Sequence, residues 1–278
     1  MVVRVREANR LVGLMRSVVG MVRSVLGMMK LGAVLLYACA ELIVRRPVTR
    51  HDRAIWLHQL CRRSLGTFGV EVVRTGAFPE RGVLISNHLS DVDIVVFASM
   101  GPGVFVSKSE VAGWPVLGWM TTMAGTVYVE RGRRGSAKEA GSGMRVAAEC
   151  GLPVVLFPEG TTSNGETILK FHSGLLGEAV ADERPVTAAY LEYFLTGDRR
   201  GTVRDDVAFW GEQPMLPHIF RFMALRGVRA EITIADGPIR FTAAAASSRK
   251  LTAVEARRAV CLLREGCRAV EDDMEAVG

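Results

Sequence analysis

The chain has 278 residues, enough to bury a full hydrophobic core, and a formal net charge of +6. The charge is uneven, because residues 1–50 hold nine Lys/Arg and two Asp/Glu, which makes +7 and leaves −1 for the rest. A basic end on a near-neutral body argues against a nucleic-acid-binding protein and favours contact with an anionic membrane surface.

A seven-residue repeat marks the N-terminal segment. Residues 16–22 read Arg-Ser-Val-Val-Gly-Met-Val, and residues 23–29 read Arg-Ser-Val-Leu-Gly-Met-Met. On an α-helix the Arg, Ser and Gly positions share about a third of the circumference, and the Val, Leu and Met positions fill the remainder. This pattern predicts a helical, amphipathic membrane anchor over residues 1–50. Its arginines would face lipid phosphates, and its glycines would let a second helix approach closely.

The depth of this anchor in the bilayer has two interpretations. Residues 31–40 carry no charge, but ten residues are too few to cross a membrane. Residues 25–44 could just cross if Lys30 and Glu41 are tolerated there. We favour a monotopic anchor on the cytoplasmic face of the cell membrane over a single span. A helix pair that packs on the rest of the protein in water is the remaining alternative.

From residue 70 onward, predicted strands and helices alternate. The predicted strands cover residues 82–85, 104–106, 126–129, 154–157, 186–189 and 229–234, and the predicted helices include 136–150 and 252–274. This order predicts an α/β domain over residues 51–278, with a mixed, mostly parallel sheet flanked by helices. Residues 197–217 are rich in Gly, Asp, Arg and Pro and are predicted to form a surface insertion.

The most informative stretch is residues 85–93, where His88 follows a buried strand and Asp93 comes five residues later. On one unbroken helix these two side chains would point about 140° apart. They can meet if His88 lies in the strand-to-helix turn and Asp93 lies in the helix. The carboxylate would then accept the imidazole N–H and leave the other nitrogen as a general base. A polar helix cap with a solvated histidine explains this stretch equally well when it is taken alone.

Four blocks, in order along the chain, resemble the motifs of the glycerolipid acyltransferases, the family that acylates lysophosphatidic acid. They are Asn87-His88-x-Ser90-x-x-Asp93; Lys108-x-Glu110 with Trp114-Pro115, Gly118, Gly125 and Tyr128-Val129-Glu130-Arg131; Phe157-Pro158-Glu159-Gly160-Thr161; and Arg184-Pro185-Val186-Thr187. The fourth block lacks the usual second proline. The resemblance covers residues 82–190 and implies the α/β fold of that family.

The resemblance also implies roles for individual residues. His88 would take the proton from an acceptor hydroxyl, which attacks an acyl thioester directly, and Asp93 would orient the ring and stabilise the imidazolium. The predicted substrate-binding residues are Asn87, Ser90, Lys108, Arg131, Glu159, Gly160 and Thr161. A serine hydrolase with Ser90 as nucleophile is an alternative, which the lack of a Gly-x-Ser-x-Gly elbow disfavours.

Three of these residues have specific expected contacts. Lys108 would bind the donor or the oxyanion, Arg131 would bind a lysolipid phosphate, and Glu159 would bind the glycerol of the acceptor. Taken alone, Lys108 is a solvated strand end, Arg131 is a member of a surface ion pair, and residues 158–161 form an ordinary turn.

The sequence departs from the family pattern at Thr162. Lysophosphatidate-specific members usually have arginine there, so its loss favours lyso-ornithine lipids or lysophospholipids with larger head groups as acceptors. The donor would be acyl carrier protein or coenzyme A carrying the fatty acid, with no further cofactor. A catalytically inert lipid-binding membrane protein is the alternative from another class, and the intact His88 and Asp93 argue against it.

The remaining chemistry-bearing residues favour structural interpretations. The five cysteines are scattered without zinc-like spacing, so we expect neither a metal site nor a disulfide framework. His172 and His218 are interpreted as loop or helix histidines. Trp114 and Trp119 suit the core, the membrane interface or an acyl-chain tunnel.

Overall fold

The computed structural model describes residues 2–114, 116–130, 133, 135–197 and 201–264, with the backbone alone for residues 2–17. The helices are α1 Val2–Arg45, α2 Arg50–Phe68, α3 Val92–Met100, α4 Leu117–Met123, α5 Ser136–Glu149, α6 Ser173–Ala181, α7 Met215–Ala224, α8 Ala243–Ser247 and α9 Arg249–Leu263. A 3₁₀ turn covers Ser109–Gly113, and a π-helical turn covers Val203–Val207. The strands are β1 Val70–Thr75, β2 Val83–Ser86, β3 Val104–Lys108, β4 Val127–Val129, β5 Val154–Leu156, β6 Val186–Leu195 and β7 Val228–Pro238.

Within the described residues, seven strands form one sheet in the order β1-β7-β6-β2-β5-β3-β4. Strands β6, β2, β5, β3 and β4 are parallel, whereas β7 runs antiparallel to β6 and pairs in parallel with β1. This confirms the predicted mixed, mostly parallel sheet with flanking helices.

The predicted elements agree with the observed ones except at the ends of the fold. Each of the six predicted strands overlaps an observed strand, and the helix predicted at 136–150 is α5. Strand β1 was not predicted, because it lies at the sheet edge and only its first residue is buried. The predicted last helix corresponds to α9, and its predicted end at 274 lies outside the described residues.

The central strand β2 is buried along its whole length because helices cover both faces of the sheet. Leu84 packs on one face in a cluster that includes α3 and residues of β6 and β7. Val83 and Ile85 pack on the other face with α5, α6 and α9. This alternation follows from the two-residue period of a strand. The carboxyl end of β2, from which His88 follows, is thereby held between two packed layers.

Helix α1 packs against α7 through its polar face. Ser24 is fully buried and donates to the Phe220 carbonyl at 2.7 Å. Arg23 Nη1 donates to the carbonyl of Ala224 at 3.2 Å. The expectation that the arginines face lipid phosphates is therefore wrong for Arg23. The last carbonyls of α7 have no N–H donor within the helix, and the Arg23 side chain donates a hydrogen bond to one of these carbonyls.

The C-terminal half of α1 packs against α2 and α4. Glu41, which a spanning helix would have to bury in lipid, is turned to the protein and pairs with Arg63 at 2.6 Å. Trp56 Nε1 donates to the carbonyl of Ala38 at 3.3 Å. The buried cluster between the three helices consists of Ala38, Leu42, Trp56, Leu60, Met120 and Ala124.

The outward face of α1 is apolar. Residues Val18–Arg45 form a helix long and apolar enough to cross a membrane, by length and composition only. The exposed large apolar side chains of this helix are Val18, Val19, Met21, Val22, Val25, Leu26, Met29, Leu36, Tyr37, Ile43 and Val44. We name this set the outer face of α1. An apolar surface this extended is typical of contact with a membrane or a partner.

Replacing Gly27 by leucine tests the close approach of α1 and α7. A Cβ at Gly27 would lie 2.9 Å from Sδ of Met223, whereas one at Gly32 would meet nothing within 4 Å. Both substitutions gain about 1 kcal/mol of helix propensity, so Gly32→Leu is the matched control. We expect Gly27→Leu to melt roughly 3–6 °C below Gly32→Leu in detergent, because overpacking costs about 1–3 kcal/mol. Equal melting temperatures would contradict the contact.

Candidate active site

The turn that follows β2 brings His88 and Asp93 together. Strand β2 ends at Ser86, and Asp93 lies in the first turn of α3. Nδ1 of His88 lies 2.8 Å from Oδ2 of Asp93. The His88 side chain is 13% exposed and that of Asp93 is fully buried, so the alternative of a solvated histidine beside a helix cap does not describe the structure.

The carboxylate of Asp93 accepts four hydrogen bonds. Besides His88, Oδ2 accepts the N–H of Leu89 at 2.6 Å and of Ser90 at 3.0 Å, and Oδ1 accepts the hydroxyl of Tyr193 at 2.8 Å. These bonds compensate for the loss of water around a buried carboxylate. Because a carboxylate only accepts, the neutral form of His88 carries its proton on Nδ1 and its lone pair on Nε2.

Both the ring and the main chain of His88 are held in place. The ring stacks on Phe157, with centroids 4.1 Å apart and planes inclined by 12°, and Phe97 contacts Phe157 edge-on. The His88 N–H donates to Oε1 of Glu159 at 3.0 Å. The His88 carbonyl accepts the N–H of Ser163 at 2.9 Å. The nitrogen that would act as the base is therefore positioned before any substrate binds.

Glu159 joins the third motif to the first. Its Oε1 binds the His88 N–H, and its Oε2 accepts the N–H of Leu169 at 3.1 Å. The residue is 2% exposed, and burial raises the pKa of its carboxyl to about 7. In this structure Glu159 is a positioning residue for the loop, and its expected contact with the acceptor stays a prediction.

The turn after Glu159 depends on Gly160. This glycine has a φ of +65°, which a side chain disfavours, and its N–H closes the turn on the Phe157 carbonyl at 3.0 Å. Thr161, which follows, has an exposed side chain. The segment does form a turn, as the ordinary-turn interpretation predicts. The turn also places Glu159 next to His88, which that interpretation did not include.

Asn87 and Ser90 serve the framework in this structure. Asn87 Nδ2 donates to the carbonyl of Leu191 at 2.9 Å, and Oδ1 accepts the N–H of the same residue at 2.8 Å. Ser90 is fully buried, and its hydroxyl accepts the Val92 N–H at 3.4 Å. Both side chains are buried and bind the main chain here, and the substrate contacts expected of Asn87 and Ser90 stay predictions.

Two further charged residues, Asp91 and Lys108, interact electrostatically near this turn. Lys108 ends β3 and is partly exposed, whereas Arg131 lies outside the described residues, so its role stays a prediction. Asp91, which was not predicted as a site residue, lies in the turn before α3. Its Oδ2 is buried and has no hydrogen-bond partner among the described residues. Burial raises the pKa of Asp91, against the attraction of His88 and Lys108.

Tyr193 is a site residue that sequence reasoning missed. It is buried in β6 a hundred positions from Asp93, within an apolar run that gave no polar signal. Burial and the charge of Asp93 raise the pKa of the phenol, so Tyr193 stays a donor.

The segment predicted as a surface insertion, residues 197–217, also reaches the site. Val207 and Ala208 are fully buried, and the N–H of Phe209 donates to the carbonyl of Leu89 at 2.8 Å. The prediction holds for most of the described residues of this segment, which are exposed or partly exposed, but it missed this short apolar stretch among the Gly, Asp, Arg and Pro residues. The part of the segment that the structure describes therefore supports the turn after His88.

Among the described residues, the hydrogen bonds and ring contacts of His88 do not include the other singled-out residues. Trp114 and Trp119 are 37% and 43% exposed, so they do not line an enclosed tunnel. His172 is exposed at the start of α6, and His218 is buried against Phe209, as the structural interpretations predict. A surface groove of about 580 Å³ between α2, β1 and α3 includes no predicted site residue.

Comparison with known proteins identifies the family. The sequence model of the acyltransferase family matches residues 69–191, a range that includes His88, Asp93 and Glu159. A lyso-ornithine lipid O-acyltransferase of Pseudomonas aeruginosa is 35% identical over 183 residues, 64% of this chain and 66% of that protein. The chain belongs to the glycerolipid acyltransferase family.

Other members of the glycerolipid acyltransferase family show the same similarity. A lyso-ornithine lipid O-acyltransferase of Brucella abortus is 36% identical, covering 57% of this chain and 60% of that protein. A 1-acyl-sn-glycerol-3-phosphate acyltransferase of Neisseria gonorrhoeae is 35% identical, covering 45% and 50%. The chain thus spans about two thirds or less of these relatives.

A solved structure confirms the fold. The crystal structure of the 1-acyl-sn-glycerophosphate acyltransferase from Thermotoga maritima superimposes with a TM-score of 0.65. It covers 90% of this chain and 98% of the other, at 17% sequence identity. At that identity the likeness supports the fold of the family and nothing more.

Replacing Tyr193 by phenylalanine tests the support of Asp93. A hydrogen bond to a charged group contributes about 1.5–3 kcal/mol, so we expect kcat for acyl transfer to fall about tenfold. KM should change less than about twofold, because Tyr193 is too deeply buried to touch substrate. Tyr37→Phe removes an exposed hydroxyl from α1 and is the neutral control. A folded Tyr193→Phe protein with wild-type kcat would rule out this role.

Proposed function

We propose that the protein is a membrane-associated O-acyltransferase that moves a fatty acyl group from a thioester to the free hydroxyl of a lysolipid. The observation that carries this proposal is the His88–Asp93 contact, which leaves Nε2 of His88 as a preoriented base. Direct attack of a hydroxyl on a thioester needs such a base and no covalent enzyme intermediate. The names of the relatives state the same class of reaction.

The proposed reaction proceeds in two proton transfers. Nε2 of His88 takes the acceptor's hydroxyl proton as its oxygen attacks the thioester carbonyl carbon, and Asp93 stabilises the imidazolium through Nδ1–H. The tetrahedral intermediate then collapses, the carbon–sulfur bond breaks, and the imidazolium returns the proton to the leaving thiolate. The products are the acylated lipid and a free thiol. Lys108 is our candidate for contact with the oxyanion or the donor.

Burial of Ser90 disfavours the hydrolase alternative. A nucleophilic serine must reach both the base and the substrate, and Ser90 is fully buried with its hydroxyl directed to the Val92 N–H. The inert lipid-binding alternative is disfavoured by the four donors gathered on Asp93, since a binding protein has no need of a tautomer fixed in this way.

For the acceptor we propose lyso-ornithine lipid over lysophosphatidic acid. The relatives from Pseudomonas aeruginosa and Brucella abortus bear that name, and Thr162 stands where a phosphate-binding arginine is usual. An uncharged threonine supplies no bidentate partner for a phosphomonoester. For the donor we propose acyl-coenzyme A or acyl carrier protein, which differ only in the carrier of the same thioester arm. We propose no further cofactor, metal or nucleic acid.

For the location we propose the cytoplasmic face of the cell membrane, with residues 1–50 as anchor and residues 51–278 as catalytic domain. Support comes from the outer face of α1, which exposes large apolar side chains while Ser24 and Glu41 are turned inward. Because Glu41 is paired with Arg63, burial of the outer face in lipid would not leave this acid unpaired.

Replacing His88 by alanine tests the chemistry. We expect turnover to fall at least about a hundredfold, since general-base catalysis supplies that much. Thiol release is measured with each thioester donor, with and without lysolipid, and His172→Ala serves as the exposed-histidine control. Retained activity in a folded His88→Ala protein would defeat the mechanism. Equal thiol release with and without lysolipid would identify a hydrolase instead.

Charges placed on the outer face of α1 test the anchor. We expect the double variant Leu36→Glu, Ile43→Glu to stay in the supernatant when anionic phospholipid vesicles are pelleted, because each charge opposes burial in lipid. Both positions are exposed, so the fold should tolerate the change. Leu262→Glu, at an exposed site on α9, is the control and should pellet like the wild type. Sedimentation of the double variant with the vesicles would contradict the anchor.

A further inference from the structure

Asp91 is a partly exposed acid with one buried oxygen, and the proposed reaction does not use it. It lies between Ser90 and α3, in the same turn as His88, and makes no side-chain cap at the start of that helix. Its Oδ2 is out of contact with water and has no hydrogen-bond partner among the described residues. Asp93, two residues later, accepts hydrogen bonds from four donors. The carboxylate of Asp93 is therefore satisfied, whereas Oδ2 of Asp91 is not.

A buried carboxylate oxygen without a partner is costly unless a cation or a donor meets the acid, and the partly exposed side chain of Asp91 leaves it open to a ligand. The ionic form of Asp91 is opposed by burial and by Asp93 and is favoured by His88 and Lys108. The added positive charge of a ligand would shift this balance toward the ionised acid. A phosphate would have the opposite effect, because it would bring a second negative charge beside Asp91.

We propose that Asp91 is a specificity-determining residue that binds the ammonium group of a cationic acceptor head group. This inference rests on the proposed function, in which the acceptor's hydroxyl is deprotonated by His88 in the same turn. An acceptor with both a hydroxyl and a primary amine, such as lyso-ornithine lipid, would contact both residues. Thr162 agrees with this choice, since the position brings no cation to repel the ammonium group.

The test compares two acceptors that differ only at the amine. One is lyso-ornithine lipid, and the other is the same molecule with its side-chain amine acetylated, so that chain and hydroxyl are unchanged. The wild-type full-length protein is assayed with both, using the thioester donor that it turns over. Asp91→Asn keeps the shape and removes the charge, and Glu80→Gln makes the same change at an exposed acid.

For the wild type we expect acetylation to raise KM at least about tenfold with little change in kcat, as loss of a charge-assisted contact predicts. In Asp91→Asn the KM for the free amine should rise about tenfold, and the KM for the acetylated acceptor should change less than about twofold. Glu80→Gln should behave as the wild type.

Three results would overturn the inference. Equal KM values of the wild type for the two acceptors would do so without any variant, even if Asp91→Asn failed to fold. Equal rises of KM for both acceptors in Asp91→Asn would show a structural role. Transfer to lysophosphatidic acid but not to lyso-ornithine lipid would reject the ammonium site and leave the acyltransferase proposal intact. Transfer to no lysolipid at all would reject the proposed function itself.

Discussion

Satisfaction of the buried Asp93 carboxylate is the constraint on which the active-site framework depends. A fully buried ion must replace every lost water, and here the replacements come from three places: the imidazole of His88, the main chain at the start of α3, and the phenol of Tyr193 on β6. One carboxylate thus closes the turn, orients the ring of His88 and joins a helix to a strand. The hydrogen bonds that would orient the proposed base are therefore the same ones that hold the local fold.

Two other buried motif residues also bind main-chain groups through their side chains. Glu159 directs its two oxygens to main-chain N–H groups of His88 and Leu169, and Asn87 directs its amide to both main-chain groups of Leu191. Residues of the family motifs thus tie the turn after β2 to β6 and to the loop after β5. The side chains left for chemistry are few, and His88 is the best placed of them.

Whether the sequence predicts a contact in this site depends on how far apart along the chain the two contacting residues lie. The His88–Asp93 contact was predictable as one of two interpretations, because the residues are five positions apart and a strand-to-helix turn can bring them together. Tyr193 was not, since its partner lies a hundred positions away and a buried tyrosine in an apolar strand has no distinguishing pattern. For α1, the repeat showed two faces but not which face meets the protein. The contact with α7 determines which face packs on the protein, because a carbonyl at the end of α7 accepts a hydrogen bond from Arg23.

In its N-terminal part, helix α1 turns small and polar residues such as Ser24 and Gly27 to the protein, while the large apolar side chains of the outer face are exposed. In aqueous buffer, two protein molecules can bury this apolar surface by packing their α1 helices against each other, which lowers the free energy. Dimers that form when detergent is scarce would then arise from this exposed stripe and would dissociate as micelles return. Oligomeric states measured on the purified protein therefore carry meaning only at a stated detergent-to-protein ratio.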